Sequence, residues 1–124
     1  WLLSPDKIPT GETRPIEQRF PDPRAAALRE HDLDHVFADL TRDSSGLATM
    51  SLAGTAQRID VLFGAAYRAA VIYAPKGRDF ICFEPMAGIT DSMNLAQRGL
   101  YKELQQVAPG GTWQEHFVVR PSGF

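Results

Sequence analysis

Short apolar stretches alternate with clusters of Gly, Pro, Asp and Ser along the 124 residues, a rhythm of strands and turns. Leu33–Leu40 has period two, with Leu33, His35 and Phe37 on one face and Asp34, Val36 and Ala38 on the other, which predicts a strand. Thr41–Gly46 carries turn chemistry in Asp43, two serines and Gly46. Leu47–Ala53 reads as the next strand, closed by a turn at Gly54. Ile59–Phe63 and Ala69–Ala74 are two more, on either side of a loop containing Gly64. The turn Pro75-Lys76-Gly77-Arg78 feeds Phe80–Glu84, which is apolar on both faces until its last position and so reads as a buried strand. Pro85 cannot donate to a ladder, and the strand is expected to stop there. After the turn Pro109-Gly110-Gly111, Trp113–Arg120 is a last strand with Trp113, Phe117 and Val119 on one face.

The remaining segments are less periodic. Trp1–Phe20 holds three prolines and a turn signal at Thr10-Gly11, and is expected to run extended across a surface. Asp22 as N-cap and Pro23 at the first helical position open a helix over Arg24–Arg29, about two turns long. Met86–Asn94 reads as an irregular loop. Leu95–Val107 has leucines near helical spacing, interrupted by Gly99, and is expected to be partly helical or irregular. Short strands separated by Gly/Pro turns point to an all-β antiparallel β-sandwich rather than βαβ units. Residues 1–124 fit one domain, or part of a larger one.

Composition and charge remove several function classes. With a formal charge of -2 and scattered Lys and Arg, the chain offers no field for nucleic acid. No apolar stretch nears the roughly 20 residues that span a bilayer, so no membrane partner is expected. The lone cysteine, Cys82, reads as a buried thiol and excludes an internal disulfide framework. The chain begins at Trp1 with neither an initiator Met nor a signal-peptide pattern. The expectation is a piece or processed product of a cytoplasmic protein. Nucleotide and zinc motifs (GxGxxG, a Walker loop, CxxC, HExxH) do not occur. His31 and His35 are four apart, but their strand-like context does not make a helical metal pair, and no metal site is expected. His116, among the polar alternates of the last strand, reads as a surface residue.

Two carboxylates carry the candidate chemistry. Glu84 ends an apolar run, at the rim of a buried sheet where desolvation would fit it for proton transfer. The competing reading is that it marks the strand's exit into solvent. Asp34 enters a strand among apolar neighbours, either to accept hydrogen bonds from sugar hydroxyls or to cap a turn.

Thr10-Gly11-Glu12, Leu33-Asp34-His35-Val36-Phe37, Ile81-Cys82-Phe83-Glu84-Pro85-Met86 and Pro109-Gly110-Gly111 stand in the order found in the C-terminal part of aldose 1-epimerases. Over about Thr10 to Phe117 the chain thus resembles the galactose mutarotase-like family. The resemblance implies a large β-sandwich (a supersandwich) with an open sugar cleft, of which this chain is a C-terminal portion. It implies an isomerase that interconverts the α and β anomers of a hexose, with Glu84 as catalytic base, Asp34 binding sugar hydroxyls, and neither metal nor cofactor. The family's general acid is a histidine of its N-terminal half, and none of His31, His35 or His116 matches it. This chain alone is therefore expected to be inactive, its partners being a hexose and either the missing N-terminal half or a second copy of itself. Glu84-Pro85-Met86 replaces the Glu-Thr-Gln ending of relatives that act on free hexoses, which leaves the sugar and its phosphorylation open. A sugar phosphate would need an arginine cluster, for which Arg14, Arg19, Arg24 and Arg29 are candidates beside their reading as a solvated surface. The alternatives are a non-catalytic carbohydrate-binding sandwich and a structural half-domain whose open edges pair with another chain.

Overall fold

The computed structural model describes Trp1 through Phe124 and holds six strands in two antiparallel sheets, with one short helix. The strands are β1 (Leu33–Phe37), β2 (Ala48–Ala53), β3 (Arg58–Phe63), β4 (Ala69–Ala74), β5 (Cys82–Met86) and β6 (Phe117–Ser122). One sheet has the order β1-β4-β5 and the other β2-β3-β6. The fold is all-β and sandwich-like, as the turn-punctuated pattern predicts.

Alternation along the strands assigns each face. Ala70 and Phe83 of the first sheet meet Ala48, Met50, Val61 and Phe63 of the second, and Phe63 is fully buried where the sheets join. The same face of the first sheet carries Leu33 and Ala74, which pack on Phe20 with Phe37 and Ile72 beside them. Its opposite face carries Val36, Ala69 and Val71, covered by Ile89, Leu95 and Tyr101, with Trp1, Met86 and Leu104 at the margin. The first sheet is thus apolar on both sides, which explains why Ala69–Ala74 reads as a continuous apolar run.

Several expected elements differ in extent or kind. The strand expected over Phe80–Glu84 lies over Cys82–Met86, so Pro85 is inside it. β5 is an edge strand, and a proline there removes no ladder bond that a further strand would need. Cys82 is half-buried rather than enclosed. The helix expected over Arg24–Arg29 is absent: Asp22 accepts from the Arg24 N–H at 3.0 Å in a local turn, and only a 3-10 turn at Leu28–Glu30 follows. A segment this short, without an apolar stripe to bury, does not repay helix nucleation. Trp1–Phe20 is no simple extended crossing, since Leu3 bridges Pro9 and a 3-10 turn forms at Ile16–Gln18. Helix α1 (Ser92–Gln97) begins inside the stretch read as loop, with Leu95 fully buried. The last strand starts at Phe117 rather than Trp113.

No helix is long and apolar enough to cross a membrane.

Candidate functional site

The first sheet brings the two predicted carboxylates to one face. Asp34 pairs with Tyr73, and Tyr73 with Cys82, forming one cross-strand row. Val36, Val71 and Glu84 form the next row, and Ala69 with Met86 the row after that. Directly paired residues and their i+2 neighbours share a face, so Asp34, Tyr73, Cys82 and Glu84 all project to the same side. Asp34 and Glu84 stand on the two outer strands, about 9.6 Å apart across the sheet and one row apart along it.

Exposure divides this face. Val36 and Val71 are buried under the α1 region and Trp1. Toward the Asp34 row the cover ends: Asp34 and Cys82 are half-buried, while Tyr73 and Glu84 are exposed. Glu84 is therefore not the desolvated rim carboxylate that the apolar run before it suggested. It shares a row with the buried Val36 and Val71, but on the edge strand the cover over that row no longer reaches it. Phe80, two residues before Cys82, is also exposed and packs on Tyr73 with ring centroids 5.8 Å apart and planes at 53°. The result is a ledge of two aromatic rings, with Asp34 beside Tyr73 on one outer strand and Glu84 diagonal to it on the other.

Neither carboxylate on the ledge is neutralised by a nearby cation, since the ion pairs of the chain are Arg58–Asp60 and Glu115–His116. Without an ion-pair partner, each carboxylate offers its oxygens to the hydroxyl or N–H donors of a ligand.

The histidines lie elsewhere. The His35 ring projects to the opposite face from Asp34, by the same alternation, and its Nδ1 accepts the Asp34 N–H at 3.0 Å. Burial holds this imidazole below its ordinary range, with Arg19 and Lys7 adding to the shift and Asp34 opposing it. A neutral ring with an unprotonated Nδ1 fits that hydrogen bond. His31 packs edge-on against Phe20 at 4.7 Å. His116 is exposed beside Glu115. No set of three His, Cys, Asp or Glu side chains converges to hold a metal ion. Of the four candidate arginines, Arg19 is engaged away from the ledge: it lies over the Phe20 ring and donates to the Asp32 carbonyl oxygen.

The two main cavities lie away from the ledge. One, of about 280 Å³, opens between the β2–β3 turn and Phe124. The other, of about 350 Å³, lies among Phe20, Asp22, Glu30 and His31. Neither includes Asp34 or Glu84.

Neither Tyr73 nor Phe80 is marked by the sequence pattern, because each belongs to an apolar run, Ala69–Ala74 or Phe80–Phe83, that does not set it apart. The signal that could have found them is the Pro75–Arg78 turn, since a hairpin there brings Tyr73 opposite Cys82 and beside Phe80. Searches of protein-family models, curated proteins and solved structures gave no match to this chain.

Proposed function

We propose that this chain carries part of the site of a sugar mutarotase, with Glu84 as the base and Asp34 as an acceptor for sugar hydroxyls. The reading rests on the four ordered segments that resemble the aldose 1-epimerases. One structural observation carries it further: both carboxylates rise from the same face of one sheet, on strands that flank β4. Glu84, exposed and unpaired, is free to take the proton from an anomeric hydroxyl. An acid then protonates the ring oxygen, the C1–O bond breaks, the open aldehyde rotates about C1–C2, and closure on the other face gives the second anomer.

None of the three histidines stands on this face, so the acid has to come from a companion segment. The chain by itself should bind sugar without turnover, and anomer interconversion by the isolated chain would contradict this reading. In the protein that pairs this chain with a histidine-bearing segment, Glu84→Gln should slow mutarotation by about 100-fold or more, the usual contribution of a positioned base. An unchanged rate in a coupled mutarotation assay would remove Glu84 from the mechanism.

The second reading, a carbohydrate-binding sandwich without catalysis, draws on the same ledge. It would be favoured by sugar binding with no effect of Glu84→Gln on any rate.

A further inference from the structure

We propose that Tyr73, with Phe80 packed beside it, forms the platform against which a sugar ring held by Asp34 and Glu84 lies. This rests on the sugar reading above and names residues that the resemblance does not. Tyr73 is on the central strand, 36% exposed, and Phe80 is 46% exposed. Other large apolar residues of this face, Val36 and Val71, are covered by Ile89, Leu95 and Tyr101. Tyr73 on the central strand and Phe80 just before β5 thus form an uncovered aromatic pair next to the covered part of this face.

Position specifies the occupant. Tyr73 lies directly opposite Asp34, and Glu84 is its diagonal neighbour on β5, about 7–8 Å away. A ligand that touches both carboxylates therefore passes along the edge of Tyr73, between it and the covered Val71. It has to present hydroxyl or N–H donors at two opposite edges, because both carboxylates are acceptors. It also has to present an apolar face to the Tyr73 ring. A pyranose meets both demands, with C–H groups on its face and hydroxyls around its rim. A compact cation over the rings satisfies only the aromatic part and one carboxylate, since the two lie on opposite outer strands.

The test is an NMR titration of the chain with D-galactose and D-glucose at millimolar concentration, following the ring signals of Tyr73 and Phe80. Tetramethylammonium serves as a cation probe. Both ring systems should shift with sugar, Tyr73→Phe should keep the response, and Tyr73→Leu should weaken binding about tenfold or more, as truncation of a central aromatic contact does. Phe80 precedes β5, so Phe80→Leu carries the same comparison if Tyr73→Leu fails to fold. Equal affinity in the leucine variants overturns the platform, as do sugar shifts confined to other residues, the absence of any sugar response, or a response to tetramethylammonium alone. The two proposals fail separately. Loss of mutarotation in Glu84→Gln with unaltered KM in Tyr73→Leu would leave the base and remove the platform. Ring shifts with an unchanged Glu84→Gln rate would leave the platform and remove the base.

Discussion

Arg42 does more than its place in a turn suggests. Its guanidinium donates to the carbonyl oxygens of Gly46, Gly64 and Tyr67 at 3.1, 3.1 and 2.6 Å, and more weakly to that of Phe63 at 3.4 Å. It thereby ties the β1–β2 connection to the loop that carries the chain from one sheet to the other. From the far side Glu115 accepts the Ala66 N–H at 3.0 Å, and the N–H groups of His116 and Ala66 hold its carboxyl below the usual range. Gln105 also donates to the carbonyls of Ala66 and Ala87, and Trp113 donates to Gln105. Arg42→Ala would leave several half-buried carbonyls without a donor and should cost about 2–3 kcal/mol. Lysine has no planar fork and should restore only part of this. Urea unfolding at constant m-value checks both variants. No motif in the sequence marks Arg42, Glu115 or Gln105, because each works through a backbone group 18 or more residues away. Glu84 and Asp34, by contrast, stood out because their immediate neighbours are apolar.

Among the elements, the strands were legible and the helical segments were not. Ala69–Ala74 has the boundaries that its composition predicts, and β2 and β3 differ from expectation by one residue at one end. Period-two alternation reports directly on a two-sided surface, so it survives without knowledge of what covers each face. Helix α1 was hidden because its six residues hold only one buried side chain, Leu95, too few to set up a periodic stripe. Its end, however, is specified locally. Gly99 has φ +73°, and the N–H groups of Gly99 and Leu100 return to the carbonyls of Ala96 and Leu95, the paired bonds of a Schellman cap. Gly99→Ala should therefore destabilise the protein by about 1 kcal/mol through the left-handed backbone alone. A thermal melt that shows no loss would refute that assignment. Pro85 went the other way: its chemistry predicted a strand end, and the edge position of β5 removed the conflict.

For the whole molecule, the junction of the two sheets is where stability concentrates. Phe63 is fully buried and packs with Ala48, Val61 and Ala70, residues drawn from both sheets. Phe63→Ala should cost about 3–5 kcal/mol, a large part of the stability of a domain this size. Because the residue joins the sheets, both should melt in one lowered transition by circular dichroism. Separate melting would show that the sheets fold independently. The second sheet is less covered than the first: every residue of β6 is exposed, including Phe117, Val118 and Val119. The sequence by itself determined where most strands lie, the period-two alternation along them, and the two carboxylates worth asking about, since all three depend on side chains within a few positions of one another. Tertiary structure decided that Asp34 and Glu84 share a face, that Glu84 meets solvent, and that Tyr73 and Phe80 are left uncovered beside them. Those outcomes follow from strand order and register, which are set by contacts between residues tens of positions apart and leave no local mark on the chain.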